Sequence, residues 1–481
     1  MEVILQRNKI GGFSMLEKLF QLKENKTTVK TEILAGITTF MTMAYILAVN
    51  PSTLTAFNDI LGLDGSARMN PSGVFMATAL AAVVGTLLMA FLANYPFALA
   101  PGMGLNAYFS YTVVLNMGYT WKQALAAVFV EGLIFIILSL TNVREAIFNA
   151  IPQTLKYAVS CGIGLFIAFI GMQNAKIVEA NSATLVQFHE FNKETFHTVG
   201  IGVILALLGV LITAILLIKK IKGGILIGIL STWILGILCE LTGIYKVNAA
   251  AGFYSLIPNF TAPDIASLGD VAFKLDFSLL KGGASGIVNF IVVIFSFLFV
   301  DMFDTLGTLM GVSAKADMLD KNGKLPRVKG ALMADAVATS AGALFGTSTT
   351  TTYVESATGV TEGGRTGLTA LTTAVLFAIS IFFSPIFLAI PSFATAPALI
   401  IVGFYMMGSV LKIDFDDMTE AIPAFLCILA MPFLYSISEG IFFGVISYVV
   451  INLITGKAKE KNISILMYVL AVVFLLKYIL L

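Results

Sequence analysis

Apolar stretches long enough to cross a bilayer recur along almost the whole chain, parted by short polar breaks. A helix needs about 20 predominantly apolar residues to span the hydrocarbon layer. Twelve stretches approach that length: 33–49, 74–93, 124–140, 155–172, 199–217, 225–241, 287–309, 330–345, 368–390, 396–411, 421–434 and 437–454. Two more, 97–115 and 348–367, contain Gly, Pro or runs of Thr and read as interrupted segments. The last apolar stretch, 463–481, fits either an extra span or an interfacial helix. The pattern predicts an all-α polytopic membrane protein with fourteen transmembrane segments.

Composition supports the lipid environment. Only 12% of the residues are charged, against about 25% in soluble domains, so water cannot cover this surface. The formal net charge of +1 gives no reason to expect nucleic acid as a partner. Cys161, Cys239 and Cys427 share no disulfide or metal-ligand spacing, and His189 and His197 are isolated, so no metal or cofactor is expected. The first thirty residues mix Lys and Glu, which reads as a solvated tail with a short amphipathic helix near Met15–Leu22 and no cleavable signal. With the N-terminus cytoplasmic, 21 of the 29 Lys and Arg fall inside, seven fall outside, and Lys477 lies in the last stretch. That threefold bias is what the positive-inside rule requires of a multi-pass protein in the cell membrane.

The two interrupted segments are the third and the tenth, each third in a set of seven. Ile151–Pro152 precedes the fifth segment and Ile390–Pro391 the twelfth, an offset of 390 − 151 = 239 residues. Seven is odd, so a second copy must run through the membrane in the opposite sense. Paired interrupted segments in corresponding places point to a transport site at the interface of inverted repeats. The competing explanation is chance, since Gly and Pro are common in membrane helices.

Chemistry concentrates at these breaks. In Ala100-Pro101-Gly102-Met103-Gly104-Leu105-Asn106, Pro101 pushes Ala100 towards extended geometry, and a half-helix can start beyond the glycines. Its free N–H groups suit an anionic or carbonyl-bearing ligand. The same residues read equally well as a proline kink with Asn106 bonding a neighbouring helix. The second break runs from Gly346 through Thr347-Ser348-Thr349-Thr350-Thr351-Thr352-Tyr353-Val354 to Glu355. Branched β-carbons favour extended chain there, and such backbone survives at membrane depth only inside protein or beside a wet cavity. Glu355 follows at the expected start of a half-helix; an intramembrane carboxylate costs about 2.5–3.5 kcal/mol and calls for a function. In the eighth segment Asp301 and Asp304 share a helix face, with Thr305 and Thr308 near them. Two acids so close in low dielectric do not both ionise readily, which is the minimum part for proton coupling. Asp301 reads more readily than Asp304 as a brace to a neighbouring helix. Glu131, Asp335 and Glu240 stand singly and read as helix-packing groups, while Tyr45 and Asn50-Pro51 are unspecific candidates for the cavity wall.

Four motifs carry a family resemblance: Thr38-Thr39-Phe40-Met41-Thr42-Met43-Ala44-Tyr45 with Asn50-Pro51; Ala100 to Ala107; Phe299 to Thr308; and Thr350 to Ser356. From about Glu32 to Thr455 the chain resembles the nucleobase/ascorbate transporter superfamily, in its AzgA-like branch of guanine, hypoxanthine and adenine permeases. The resemblance implies a seven-plus-seven inverted repeat with short strands in segments three and ten. It also implies a division into a core domain (32–150 and 282–390) and a gate domain (151–281 and 391–456), beside a tail (1–31) and a terminal apolar segment (457–481). Substrate would lie between the strands, with Asp304 and Glu355 bonding the purine N–H edge and the backbone around Gly104 and Thr352 completing the contacts. Asn106 would contact the base or support the half-helix. Thr308 stands where uracil- or xanthine-type members often carry a His, which argues for the AzgA-like branch and leaves the proton carrier open among Asp304, Glu355 and Asp301. The implied activity is proton symport of a purine nucleobase; the oligomeric state stays open, a homodimer included.

Rival readings are an anion carrier on the same fold, a channel, and an intramembrane enzyme. Two site carboxylates argue against an anion. No nucleophile–base pair, metal ligand set or nucleotide loop appears, so neither an enzyme nor an ATP-driven pump is expected.

Overall fold

The computed structural model describes residues 15–141, 151–248, 253–258, 261–281, 283–315, 318 and 325–480. The first fourteen residues of the expected tail lie outside these; the expected amphipathic stretch near Met15 is helical over 15–20. Among the described residues, ten helices are long and apolar enough to cross a membrane. They coincide with ten of the twelve continuous stretches; the stretches at 287–309 and 421–434 fall on shorter apolar helices, Gly286–Met302 and Met418–Phe433. The first of these continues as helix to Lys315, and the second holds Pro423 and Pro432 within sixteen residues.

Helix starts follow from local chemistry. Thr28 accepts from Thr31 N ahead of α1 (Val29–Met43), which breaks at Ala44–Tyr45 and resumes as α2 (Ile46–Leu54). Asn70 caps α3 (Pro71–Leu88), with Pro71 at the first helical position where its missing N–H costs nothing. Thr120 and Gln123 form a capping box at α5 (Trp121–Leu140); α4 (Met103–Ala107) belongs to the first interrupted segment. Pro152 and Pro391, the recurrent pair noted in the sequence, stand at the N-caps of α6 (Gln153–Asn174) and α13 (Ser392–Met407).

Packing sorts most of the helices into two sets. In the first, α1 lies against α12 (Gly367–Ser380), α3 against α2 and α12, and α10 (Val328–Phe345) against α3 and α5; α9 (Gly283–Lys315) joins through α5. In the second, α6 packs on α13 and α14 (Met418–Phe433), α14 on α15 (Ile437–Ile454), and α7 (Ile201–Ile218) and α8 (Gly224–Leu241) on each other and on α13. Small residues permit the closest approach: a Cβ on Gly403 would come within 2.3 Å of the Gly164 carbonyl oxygen. The outward faces of α7 and α8 stay apolar, with Leu211, Ile215, Ile234 and Leu238 exposed. Helices apolar all round are what a lipid environment selects. The terminal helix α16 (Ile465–Leu480) packs on α15, with Phe474 against Phe442.

Two features outside the helices went unforeseen. Residues Val178–Asn181 (β2) and Leu185–Phe188 (β3) form a hairpin in the first long loop, where His189 Nδ1 meets Glu179 Oε1 at 2.8 Å. Asp417 caps α14 and binds Lys461 at 2.5 Å, and that bond holds its carboxyl below the usual carboxylate range.

Glu32 supplies an anchor between distant elements. Its fully buried carboxylate accepts from Arg365 N (2.9 Å), Thr366 N (3.2 Å) and Thr369 N (3.2 Å), and from the hydroxyls of Thr366 (2.8 Å) and Thr369 (2.7 Å). It therefore caps α12 from α1, using donors that a helix start leaves free. Glu32→Ala is expected to cost about 2–4 kcal/mol, because bonds to a charged acceptor carry about 1.5–3 kcal/mol each and the abandoned donors stay buried. The readout is the thermal midpoint of the detergent-solubilised protein; an unchanged midpoint would refute the anchoring role.

Candidate functional site

The site begins with extended backbone inside a helical bundle. Strand β1 (Leu99–Pro101) pairs antiparallel with β4 (Thr350–Thr352), Leu99 opposite Thr352 and Pro101 opposite Thr350. Gly102 N donates to Thr349 O (2.9 Å) and Tyr353 N to Ala98 O (3.0 Å), extending the ladder at both ends. Buried backbone groups must be paired, and hydroxyls complete the edges. Thr86 Oγ1 accepts from Leu99 N (2.9 Å) and donates to Leu99 O (3.1 Å). Ser356 Oγ accepts from Ala98 N (3.0 Å), Thr339 Oγ1 donates to Thr350 O (3.1 Å), and Tyr353 Oη donates to Pro101 O (2.5 Å). Pro101 sits at a strand end, where a residue without N–H is tolerated. Gly346, at φ +100°, closes α10 and turns the chain into the threonine run, a conformation side chains disfavour.

Helix resumes beyond each strand. After β1, α4 runs on into π-helical turns over Tyr108–Asn116. After β4 comes α11 (Ser356–Thr361), with Glu355 at its N-cap. A cavity of about 310 Å³ lies where these elements meet, and it brings together Asp304, Glu355, Gly104, Thr308 and Thr352. Asp304 Oδ2 accepts from Thr351 Oγ1 at 3.2 Å, and Glu355 Oε1 accepts from Tyr45 Oη at 2.6 Å. Each carboxylate thus has one oxygen held by a protein hydroxyl. Tyr45, only weakly marked in the sequence, lines the cavity where the first span breaks, whereas Asn50 and Pro51 do not. Its signal was a lone phenol at that break. Lys156 and Lys412 extend the lining on the side of α6 and α13.

Two residues grouped with the site by sequence lie behind it. Asn106, 1% exposed, accepts from Ser348 Oγ and is 3.5 Å from Pro101 O, joining the half-helix to the chain leading into β4. Asp301 is fully buried, and its Oδ1 lies 2.9 Å from Thr305 Oγ1, which is itself 2.8 Å from Asp335 Oδ1. Other acids brace: Glu131 Oε2 accepts from Thr349 Oγ1 (2.8 Å), and Glu240 holds Ser255 Oγ and Leu256 N. Asn50 Nδ2 donates to Thr78 and Thr347 hydroxyls.

The strand edges give a test. Thr86→Val keeps the shape but leaves Leu99 N and O without their hydroxyl partner, at an expected cost of about 1–3 kcal/mol. Thermal unfolding in detergent should show this loss. A neutral result would mean the strand does not depend on that side chain.

Comparison with known proteins places this arrangement. A model described as a permease family matches residues 30–441. A putative permease of Methanocaldococcus jannaschii is 47% identical, over 96% of this chain and 98% of the relative. A guanine/hypoxanthine permease, PbuO, of Bacillus subtilis is 45% identical over 95% and 99%, and an adenine permease, AdeQ, of Escherichia coli is 38% identical over 97% and 96%. Among solved structures, the transmembrane domain of the cyanobacterial bicarbonate transporter BicA superposes with a TM-score of 0.60 at 14% identity, over 86% of this chain and 97% of that one. That likeness concerns the fold alone. On the family match and its near full-length relatives, this multi-pass chain belongs to the nucleobase/ascorbate transporter family of permeases.

Proposed function

We propose that the chain imports purine nucleobases, guanine or hypoxanthine first and adenine as an alternative, by proton symport with alternating access. The observation that carries this reading is the pair of carboxylates on one cavity, Asp304 with one oxygen engaged by Thr351 and Glu355 with one engaged by Tyr45. Thr352 Oγ1, on the same cavity, has no hydrogen-bond partner among the described residues. Such a wall asks for N–H donors, which a purine presents on its ring edges. Leaving these groups unmet by ligand would cost about 1–3 kcal/mol each. Relatives named as guanine/hypoxanthine and adenine permeases support the same chemistry.

Proton coupling is supported by hydrogen count. Thr305 Oγ1 carries one hydrogen yet stands within hydrogen-bond distance of both Asp301 and Asp335. One hydroxyl hydrogen cannot fully satisfy two carboxylates, and two buried acids so close do not both ionise readily, which favours a proton at this cluster one helical turn from Asp304.

Alternating access fits the two packed sets, taken as core (α1–α5 and α9–α12) and gate (α6–α8 and α13–α15). We read the whole as fourteen segments in two inverted halves. The cavity reaches Lys156 and Lys412, inward residues by the positive-inside count, so this conformation faces the cytoplasm. The far end is closed: Tyr111 Oη donates to Asn174 Oδ1 (3.0 Å), and Tyr435 packs edge-on against Tyr111 and Phe166. An anion carrier would share the fold, but two carboxylates on the cavity disfavour it.

Uptake of radiolabelled hypoxanthine in cells lacking their own purine permeases tests the reading. Asp304→Ala and Glu355→Ala should each abolish uptake, and a protonophore should collapse accumulation. Uptake indifferent to the protonophore would sink the symport, and uptake unaltered by both substitutions would sink the site. Tyr45→Phe should raise KM about tenfold, the scale of one hydrogen bond to a charged group, with membrane levels of the protein unchanged. An unmoved KM would count against Tyr45 as the group positioning Glu355.

A further inference from the structure

The two helix sets touch on the side of the inward lysines through a charged contact. Lys222 lies in the turn between α7 and α8 and belongs to the gate set, while Glu362 is the C-cap of α11 and belongs to the core set. Lys222 Nζ stands 2.6 Å from Glu362 Oε2, and both side chains keep access to water, at 55% and 32% exposure. The neighbouring Gly223, at φ +69°, brings the same turn against α1. A Cβ there would come within 3.2 Å of Met41 Cβ and 3.3 Å of the Met41 carbonyl oxygen. The start of α8 is thus fitted to the core at the residue beside the ion pair.

The core partner is one end of an element whose other end belongs to the site. Glu355 is the N-cap of α11 and Glu362 its C-cap, and 362 − 355 = 7 positions of helix rise about 10 Å. This half-helix is held to α1: Thr358 Oγ1 meets Thr42 Oγ1 at 3.0 Å, and a Cβ on Gly359 would lie 2.7 Å from the Ala35 carbonyl oxygen. One end of a short, braced element therefore carries the cavity carboxylate, and the gate grips the other. An exposed ion pair adds little to the stability of a fold. Across an interface that opens and closes, the same small energy falls entirely on the balance between the two conformations.

We propose that Lys222 and Glu362 form a cytoplasmic latch between gate and core, made when the cavity faces inward and broken when it faces outward. The inference rests on the alternating-access reading of the site. The latch favours the inward-facing protein, so fewer molecules present the site to the outside. The KM for external base rises as that share falls, and weakening the latch lowers it.

Uptake of radiolabelled hypoxanthine in cells lacking their own purine permeases supplies that KM, with membrane levels of each variant measured alongside. Lys222→Glu and Glu362→Lys should each lower it about two- to fivefold, the range an exposed ion pair supports. The two combined should restore it, because the charges are exchanged and the pair forms again. A KM unmoved by both single changes, or left low in the combined variant, would refute the latch. Movement is tested separately by joining Lys222→Cys to Glu362→Cys with a short bis-methanethiosulfonate reagent. The link should arrest uptake and a reductant should restore it, while each single cysteine variant treated alike keeps transporting. Uptake that persists with the link in place, or a link that does not form, overturns the proposal. If the unaltered protein takes up no hypoxanthine, the purine reading falls and the latch with it; uptake that ignores the link sinks the latch alone.

Discussion

Backbone amides buried among apolar helices have no water to turn to, and the pairing of Leu99–Pro101 with Thr350–Thr352 is what makes two interrupted helices tolerable. Each strand takes up most of the hydrogen bonds of the other, and hydroxyls from Thr86, Thr339 and Ser356 cover what remains. Because the strands cross at one place, the helices that restart beyond them must also start there. Glu355 is the third residue after β4, and Thr351 within β4 reaches Asp304 on α9. The positions of both carboxylates are thus set by backbone pairing.

The buried acids divide by how fully the protein answers them. Glu32 meets five donors and is a structural anchor. Glu131 steadies the threonine run, and Asp301 and Asp335 share one hydroxyl between them. Asp304 and Glu355 are alone among these in lining the cavity, each held by one side-chain hydroxyl. A carboxylate inside a membrane protein is costly, so the incompleteness of its partners carries more information than its mere presence.

Much of this was legible in the sequence because hydropathy and backbone chemistry are local. Pro101 with its glycines, and the run from Thr347 to Thr352, announced extended chain, and Glu355 stood where a helix had to restart. Tertiary partners were not legible. Nothing in Thr86 or Asn50 distinguishes them from other polar residues in apolar helices until the facing strand is known. The sequence left Asn106 between contacting the base and supporting the half-helix; its amide meets Ser348 and the turn at Pro101. Glu32 had no role of its own in the sequence, because the helix it caps lies 337 positions on at Thr369. The span expected at 421–434 falls on α14, a helix of sixteen residues that holds Pro423 and Pro432.

The strand ladder has a consequence for how the chain is made. Leu99 and Thr352 are 352 − 99 = 253 positions apart, yet the strands that hold them pair with each other. During synthesis the first strand enters the bilayer long before its partner exists: Leu99 already has the Thr86 hydroxyl, while the groups that pair with β4 wait on trapped water or the insertion machinery. Contacts of such long sequence separation form late. The first half of the protein therefore has no finished interior of its own, and assembly of the site coincides with the last stage of membrane insertion.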